Sequence, residues 1–87
     1  MEKTVKILNE TGVHARPAGA FVKLASKFSS DINIEFNGAI SNAKSIMNML
    51  SLGLKKEDEI KIIANGEDEK EAVEALANLI ESKFGED

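Results

Sequence analysis

His14 is the single histidine of the chain, and it stands in Gly12-Val13-His14-Ala15-Arg16-Pro17-Ala18, where the sequence predicts that a loop passes into a helix. A histidine accepts a phosphoryl group only through a neutral ring nitrogen, so a carrier histidine must not be held permanently protonated. The partial positive charge of a helix N-terminus opposes imidazolium. Once the group has arrived, the unpaired N–H groups of the helix start and the guanidinium of Arg16, two residues on, can hydrogen-bond its oxygens without a built-in metal. Pro17 suits the first helical turn, where its missing N–H costs nothing, and so fixes where the helix begins. On these residues alone, a histidine that merely caps the helix or lies exposed in the loop is the competing description.

A second constellation lies thirty residues further on. Ser45 precedes the apolar segment Ile46-Met47-Asn48-Met49-Leu50-Ser51-Leu52, which Gly53 closes; that is N-cap, helix and C-terminal glycine in order. At 100° per residue the apolar side chains cover an arc of roughly 220°, with Met49 and Leu52 on one side and Ile46, Met47 and Leu50 towards another. A two-layer domain cannot bury all of that arc, so part of it is predicted to form an exposed, methionine-containing patch of the kind that receives proteins. Ser45 needs no role beyond capping. A phosphate there would nonetheless be tolerated by the helix dipole, and would set about two negative charges beside the patch.

The elements that must position these residues follow from periodicity. Thr4-Val5-Lys6-Ile7-Leu8 alternates as a strand, and Asn9-Glu10-Thr11-Gly12 turns the chain into the histidine loop. The first helix carries Ala18, Phe21, Leu24, Ala25 and Phe28 on a core-facing stripe. Its other side holds Gly19, Lys23, Ser26 and Lys27, which leaves the N-terminal end bare enough for another protein to come close. Ile32-Asn33-Ile34-Glu35-Phe36 alternates strictly, and Asn37-Gly38 before Ala39-Ile40-Ser41 is a strong hairpin signal. Ile60 to Ala64 gives a fourth strand, turned by Asn65-Gly66. The last helix is predicted to start from Asp68 with Glu71 three positions later as a capping box, to carry Ala72, Val73, Leu76, Leu79, Ile80 and Phe84 inward, and to end at Gly85. The order strand, helix, strand, strand, helix, strand, helix, with a hairpin at its centre, predicts a single α+β domain over residues 1–87 with a helix-covered antiparallel sheet.

Composition narrows the function. Eighty-seven residues, 43% of them hydrophobic, provide one modest core. With no cysteine and one histidine there is no thiol nucleophile, no disulfide framework and no thiolate or imidazole metal cluster. The net charge of -4, the absence of Tyr and Trp and the scattered 11 Lys and Arg residues give nucleic acid no basic, aromatic groove. Lys and Arg nevertheless concentrate in the first two thirds, whereas Glu67-Asp68-Glu69 and Glu86-Asp87 are acidic, so one end presents positive charge to an acidic partner. No leader or apolar run of membrane-spanning length is evident, and a cytoplasmic protein is expected. The acidic triplets lack EF-hand spacing, and phosphate-binding glycine loops and a nucleophile elbow are missing.

Gly12-Val13-His14-Ala15-Arg16-Pro17-Ala18 and Lys44-Ser45-Ile46-Met47-Asn48-Met49-Leu50-Ser51-Leu52-Gly53, in this order and at this separation, closely resemble the two signatures of the HPr family, the histidine-containing phosphocarriers of the bacterial sugar phosphotransferase system. The resemblance covers essentially the whole chain. It implies an open-faced β-sandwich in which a four-stranded antiparallel sheet is covered on one face by three helices. It implies a stoichiometric carrier rather than an enzyme, without metal or cofactor, that takes a phosphoryl group from phospho-enzyme I on Nδ1 of His14 and gives it to sugar-specific enzyme IIA domains. By the same resemblance Arg16 stabilises the phosphohistidine, and Ile46, Met47 and Leu50 form the docking patch, with Ala15, Gly19 and Lys23 beside it. Ser45 matches the serine modified by an ATP-dependent HPr kinase/phosphorylase, whose product serves a catabolite control protein as corepressor. A monomer that meets its partners transiently is expected.

Two positions depart from the family's usual pattern. Gly19 stands where alanine or threonine is common, and Glu57 replaces a glycine often found in the turn before the last strand, which predicts altered helix and turn stability. The presence of His14 speaks against the paralogous catabolite regulator that lacks it, whereas it does not separate the chain from the nitrogen-related HPr paralogues. A small-molecule-sensing domain of the ferredoxin-like or ACT kind has a similar element order, but no need of His14-Ala15-Arg16-Pro17 at a helix start.

Overall fold

A computed structural model describes residues 1–85; Glu86 and Asp87, part of the acidic stretch noted above, lie outside the described residues. The elements run β1 (Glu2–Lys6), α1 (Ala15–Ala25), β2 (Asp31–Phe36), β3 (Ala39–Asn42), α2 (Ile46–Ser51), β4 (Glu59–Asn65) and α3 (Glu69–Glu81), followed by a 3₁₀ turn over Lys83–Gly85. The four strands form one antiparallel sheet in the order β1-β4-β2-β3. The architecture is therefore the α+β open sheet with three helices that the element order predicts.

Strand alternation decides the core. Val5, Ile32, Ile34, Ile60, Ile62 and Ala64 are buried, and the register sets Val5 opposite Ile60, Ile34 opposite Ile62 and Ile32 opposite Ala64. Phe21, Ala18 and Ala25 of α1, Met49 of α2 and Leu76, Ala77 and Ile80 of α3 belong to the same buried cluster. Each large aliphatic side chain buried here contributes about 1.5–3 kcal/mol relative to exposure. In the hairpin, Asn37 and Gly38 have φ of 52° and 82°, the pair of positive values a tight two-residue turn demands.

Several boundaries differ from expectation, each for a structural reason. β1 ends at Lys6, its last residue in register with β4. Ile7 leaves the ladder and is held instead by the turn before β4, its N–H donating to Asp58 O and its carbonyl accepting from Glu57 N, both at 2.8 Å. It is still fully buried, so the alternation outlasts the strand. α1 stops at Ala25, which leaves Phe28 beyond the helix and only partly buried, as Leu24 is. α3 stops at Glu81 rather than Gly85, because Lys83 and Phe84 adopt left-handed conformations (φ 61° and 57°) that no helix continues through; Phe84 still turns inward.

The capping box at α3 is also replaced. Asp68 occupies the N-cap position but makes no side-chain cap. Its carboxylate instead accepts from Ser29 N at 2.9 Å, Ser30 N at 3.0 Å and the Ser30 hydroxyl, tying the end of the α1–β2 connection to the start of α3. These bonds hold its pKa down to about 2, the Ser30 hydroxyl contributing most and the Ser29 amide next. Glu69, not Glu71, reaches back, accepting from Gly66 N at 3.2 Å.

Candidate functional site

The loop that presents His14 is strapped to the turn leading into β4. Gly12 N donates to Asn9 O at 3.1 Å and Val13 N to Leu54 O at 3.0 Å. Gly12 has φ +69°, and a Cβ added there would stand 2.5 Å from Leu54 O and 3.0 Å from Lys55 Cα, so only glycine fits. Beneath the loop, Asn9 is 2% exposed and its Nδ2 donates to Gly12 O at 2.6 Å. Across its rim, Lys56 Nζ meets Glu10 Oε1 at 2.6 Å. That bond lowers the Glu10 pKa and raises that of Lys56, in each case through the shared hydrogen bond first and the opposite charge second.

His14 is the N-cap residue of α1, with extended backbone and no side-chain cap bond, and its ring is exposed. Ala18 N donates to His14 O at 2.9 Å. Because Pro17 has no N–H, the helix-start donors beside the imidazole are the amides of Ala15 and Arg16. The ring's Nε2 lies 3.1 Å from Thr11 Oγ1, and that oxygen also accepts from Asn9 Nδ2 at 3.4 Å. Ala15 and Arg16 are exposed on the same first turn. An exposed imidazole at a helix start, with a guanidinium on the next turn position but one, can hold a dianionic group in hydrogen bonds while leaving it open to a second molecule.

α2 divides its apolar side chains sharply. Met49 is 1% exposed, whereas Ile46, Met47 and Leu50 are 42%, 73% and 37% exposed. Ser45 is its N-cap, with Oγ accepting from Asn48 N at 3.3 Å and the carbonyl accepting from Met49 N at 3.0 Å. Gly19 is not the bare surface its position in the sequence implies. It is half-buried, and an added Cβ would lie 3.8 Å from Ile46 Cδ1, so the first helix lets α2 lean against it there. The exposed side of α1 and the apolar face of α2 are thereby neighbours, with Lys23 exposed further along α1.

Three contributors carry no sequence signal of their own. Thr11 touches the imidazole, and its three-residue spacing from His14 across a glycine turn is the one feature that points to it. Asn9 is marked only as a turn residue, yet it is buried beneath the loop and bonded to Gly12 O. Lys44 bridges from the start of α2 to Phe28 O at 2.7 Å, sixteen residues away. Among the described residues, no group of three or more His, Cys, Asp or Glu comes together as metal ligands would. No described helix is long and apolar enough to cross a membrane.

A small open antiparallel sheet backed by three helices, displaying one histidine at a helix start, defines a class of phosphoryl-handling domains, and comparison with known proteins gives the class its family. The family model described as the PTS HPr component phosphorylation site matches residues 1–82, and the chain belongs to this family of phosphotransferase-system phosphocarriers. Solved structures agree. HPr from Thermoanaerobacter tengcongensis is 54% identical, with 100% of this chain and 98% of that one covered at a TM-score of 0.96. HPr from Bacillus anthracis is 42% identical over 92% and 95% of the two chains at 0.89. Crh, a Bacillus subtilis catabolite-repression protein solved as a swapped dimer, is 44% identical over 91% of each chain at 0.77. A ligand-sensing domain is thereby displaced as the reading of this element order.

Proposed function

We propose that this chain accepts a phosphoryl group from phospho-enzyme I on Nδ1 of His14 and passes it to enzyme IIA domains. The observation that carries the reading is the exposed imidazole at the N-cap of α1, whose Nε2 is engaged by Thr11. Nδ1 is the nitrogen through which the group is received, as the likeness to the family implies. Its lone pair forms the new bond to phosphorus as the donor keeps the electrons of the bond it loses. The amides of Ala15 and Arg16 and the Arg16 guanidinium then hold the oxygens. The chain does no net chemistry; it is restored only when the next protein takes the group, and it needs no cofactor.

The partners meet one surface. Ile46, Met47 and Leu50 supply the apolar contact, the small side chain of Ala15 lets the partner approach the start of α1 closely, Gly19 seats Ile46 beside it, and Lys23 and Arg16 favour acidic partners. Ser45 lies at the head of that apolar face, and its likeness to the regulatory serine of the family supports modification by an ATP-dependent HPr kinase/phosphorylase, with service to a catabolite control protein. Phosphate on Ser45 would add negative charge to a surface built for acidic partners and slow transfer from enzyme I. The carrier works in the cytoplasm as a monomer that meets its partners in turn.

The carrier step is tested by adding labelled phosphoenolpyruvate, Mg²⁺, enzyme I and an enzyme IIA domain. Label reaches the IIA domain only when this chain is present, in proportion to catalytic amounts of it. Equal labelling without the chain would overturn the reading. For Ser45, complete modification by kinase and ATP slows acceptance from enzyme I; an unchanged rate would count against the charge argument.

A further inference from the structure

A neutral ring that receives the phosphoryl group on Nδ1 carries its proton on Nε2, and the loop beneath His14 provides a group that can hold it there. The buried Asn9 is fixed by its 2.6 Å bond to Gly12 O, and from that anchored position its Nδ2 also donates to Thr11 Oγ1 at 3.4 Å. Thr11 Oγ1 in turn lies 3.1 Å from His14 Nε2. The result is a chain of polar contacts from the core to the imidazole: Asn9 sets the place of the threonine oxygen, and that oxygen sets the rotation of the ring.

We propose that Thr11, positioned from below by Asn9, accepts the Nε2 proton of His14 and thereby keeps the lone pair on Nδ1. This rests on the carrier reading and adds a positioning residue to it. The proton balance gives the contact a second effect. When Nδ1 bonds to phosphorus the ring becomes cationic, with its proton on Nε2, facing Thr11 Oγ1. The Nε2–H to Oγ1 bond is then charge-assisted, and so stronger after transfer than before. An interaction that strengthens along the reaction accelerates it, whereas one of constant strength would only improve binding. A partner on the other nitrogen that fixes the tautomer of a working imidazole acts by the same logic.

The experiment uses the whole chain labelled with ¹⁵N and long-range ¹H–¹⁵N correlation of the His14 ring, together with steady-state transfer from phospho-enzyme I. In the wild type at a pH where the ring is neutral, the proton resides on Nε2. Thr11→Val, which keeps the shape and removes the hydroxyl, raises the Nδ1–H share and lowers kcat about tenfold with KM little changed, the scale of one charge-assisted hydrogen bond. Thr11→Ser restores both. A wild-type ring protonated on Nδ1, or a folded Thr11→Val chain with unchanged tautomer ratio and kcat, overturns the role of Thr11. A wild-type ring protonated on Nδ1 overturns it even if Thr11→Val fails to fold. A wild-type chain that takes no phosphoryl group at all overturns the carrier reading itself, whereas normal transfer with an unmoved tautomer sinks Thr11 alone.

Discussion

Glu57 shows most directly what one residue does to this molecule. It holds φ of +81° in the turn over residues 55–58, where Asp58 Oδ2 accepts from Lys55 N at 2.8 Å. A left-handed backbone costs a residue with a Cβ about 1–2 kcal/mol that glycine does not incur. The ion pair of Glu57 with Lys6, 3.6 Å apart between exposed side chains, returns little of that. Glu57→Gly is therefore expected to stabilise the protein by about 1 kcal/mol and raise Tm by about 4–8 °C in a thermal melt followed by circular dichroism; an unchanged or lower Tm would show that the turn is not strained. Asp68 makes a prediction of opposite kind. Its folded pKa is depressed to about 2, against about 3.9 for an unfolded aspartate. The stability it adds is complete above the unfolded value and is lost as pH falls through the folded one. Asp68→Asn should thus lower the urea midpoint near neutrality, and the gap from wild type should close between about pH 4 and pH 2. A gap constant over that range would mean that the carboxylate charge is irrelevant.

At the scale of elements, α2 separates a buried apolar face from an exposed one within six residues. Met49 is sealed in the core while Met47, two positions earlier, is 73% exposed. Met49→Ala is expected to cost about 2–5 kcal/mol in urea unfolding. Met47→Lys should leave stability within about 0.5 kcal/mol while raising the KM for enzyme I. A Met47→Lys chain with normal KM would place the docking surface elsewhere. This division was readable in advance, since the apolar arc of α2 is wider than a two-layer fold can bury. The hairpin, the four strands and the Ser45 cap were equally readable, because alternation, Asn-Gly and a cap serine are local signals. The Asp68 carboxylate was misread as a helix cap for the converse reason. Its partners, Ser29 and Ser30, lie 39 and 38 residues away, and no local pattern announces a contact made only when α3 packs beside the α1–β2 connection. Thr11 and Asn9 escape notice for another reason: their bonds to His14 and Gly12 are local, but turn residues so seldom carry such a role that their type does not announce it.

For the whole molecule, the sheet order β1-β4-β2-β3 brings the turn before β4 back beneath the loop that follows β1. Chain ends of the sheet thus cooperate in holding one imidazole, while α1 and α2 meet at Gly19 and Ile46 to set the apolar face beside it. The central claim is that His14 is the residue that carries the phosphoryl group. Intact mass spectrometry after incubation with enzyme I, Mg²⁺ and phosphoenolpyruvate tests it most directly. The wild type should gain the mass of one phosphoryl group, lost on brief acid treatment, and His14→Ala should gain none. A wild type that stays unmodified, or a His14→Ala chain that is modified to the same extent, would contradict the account.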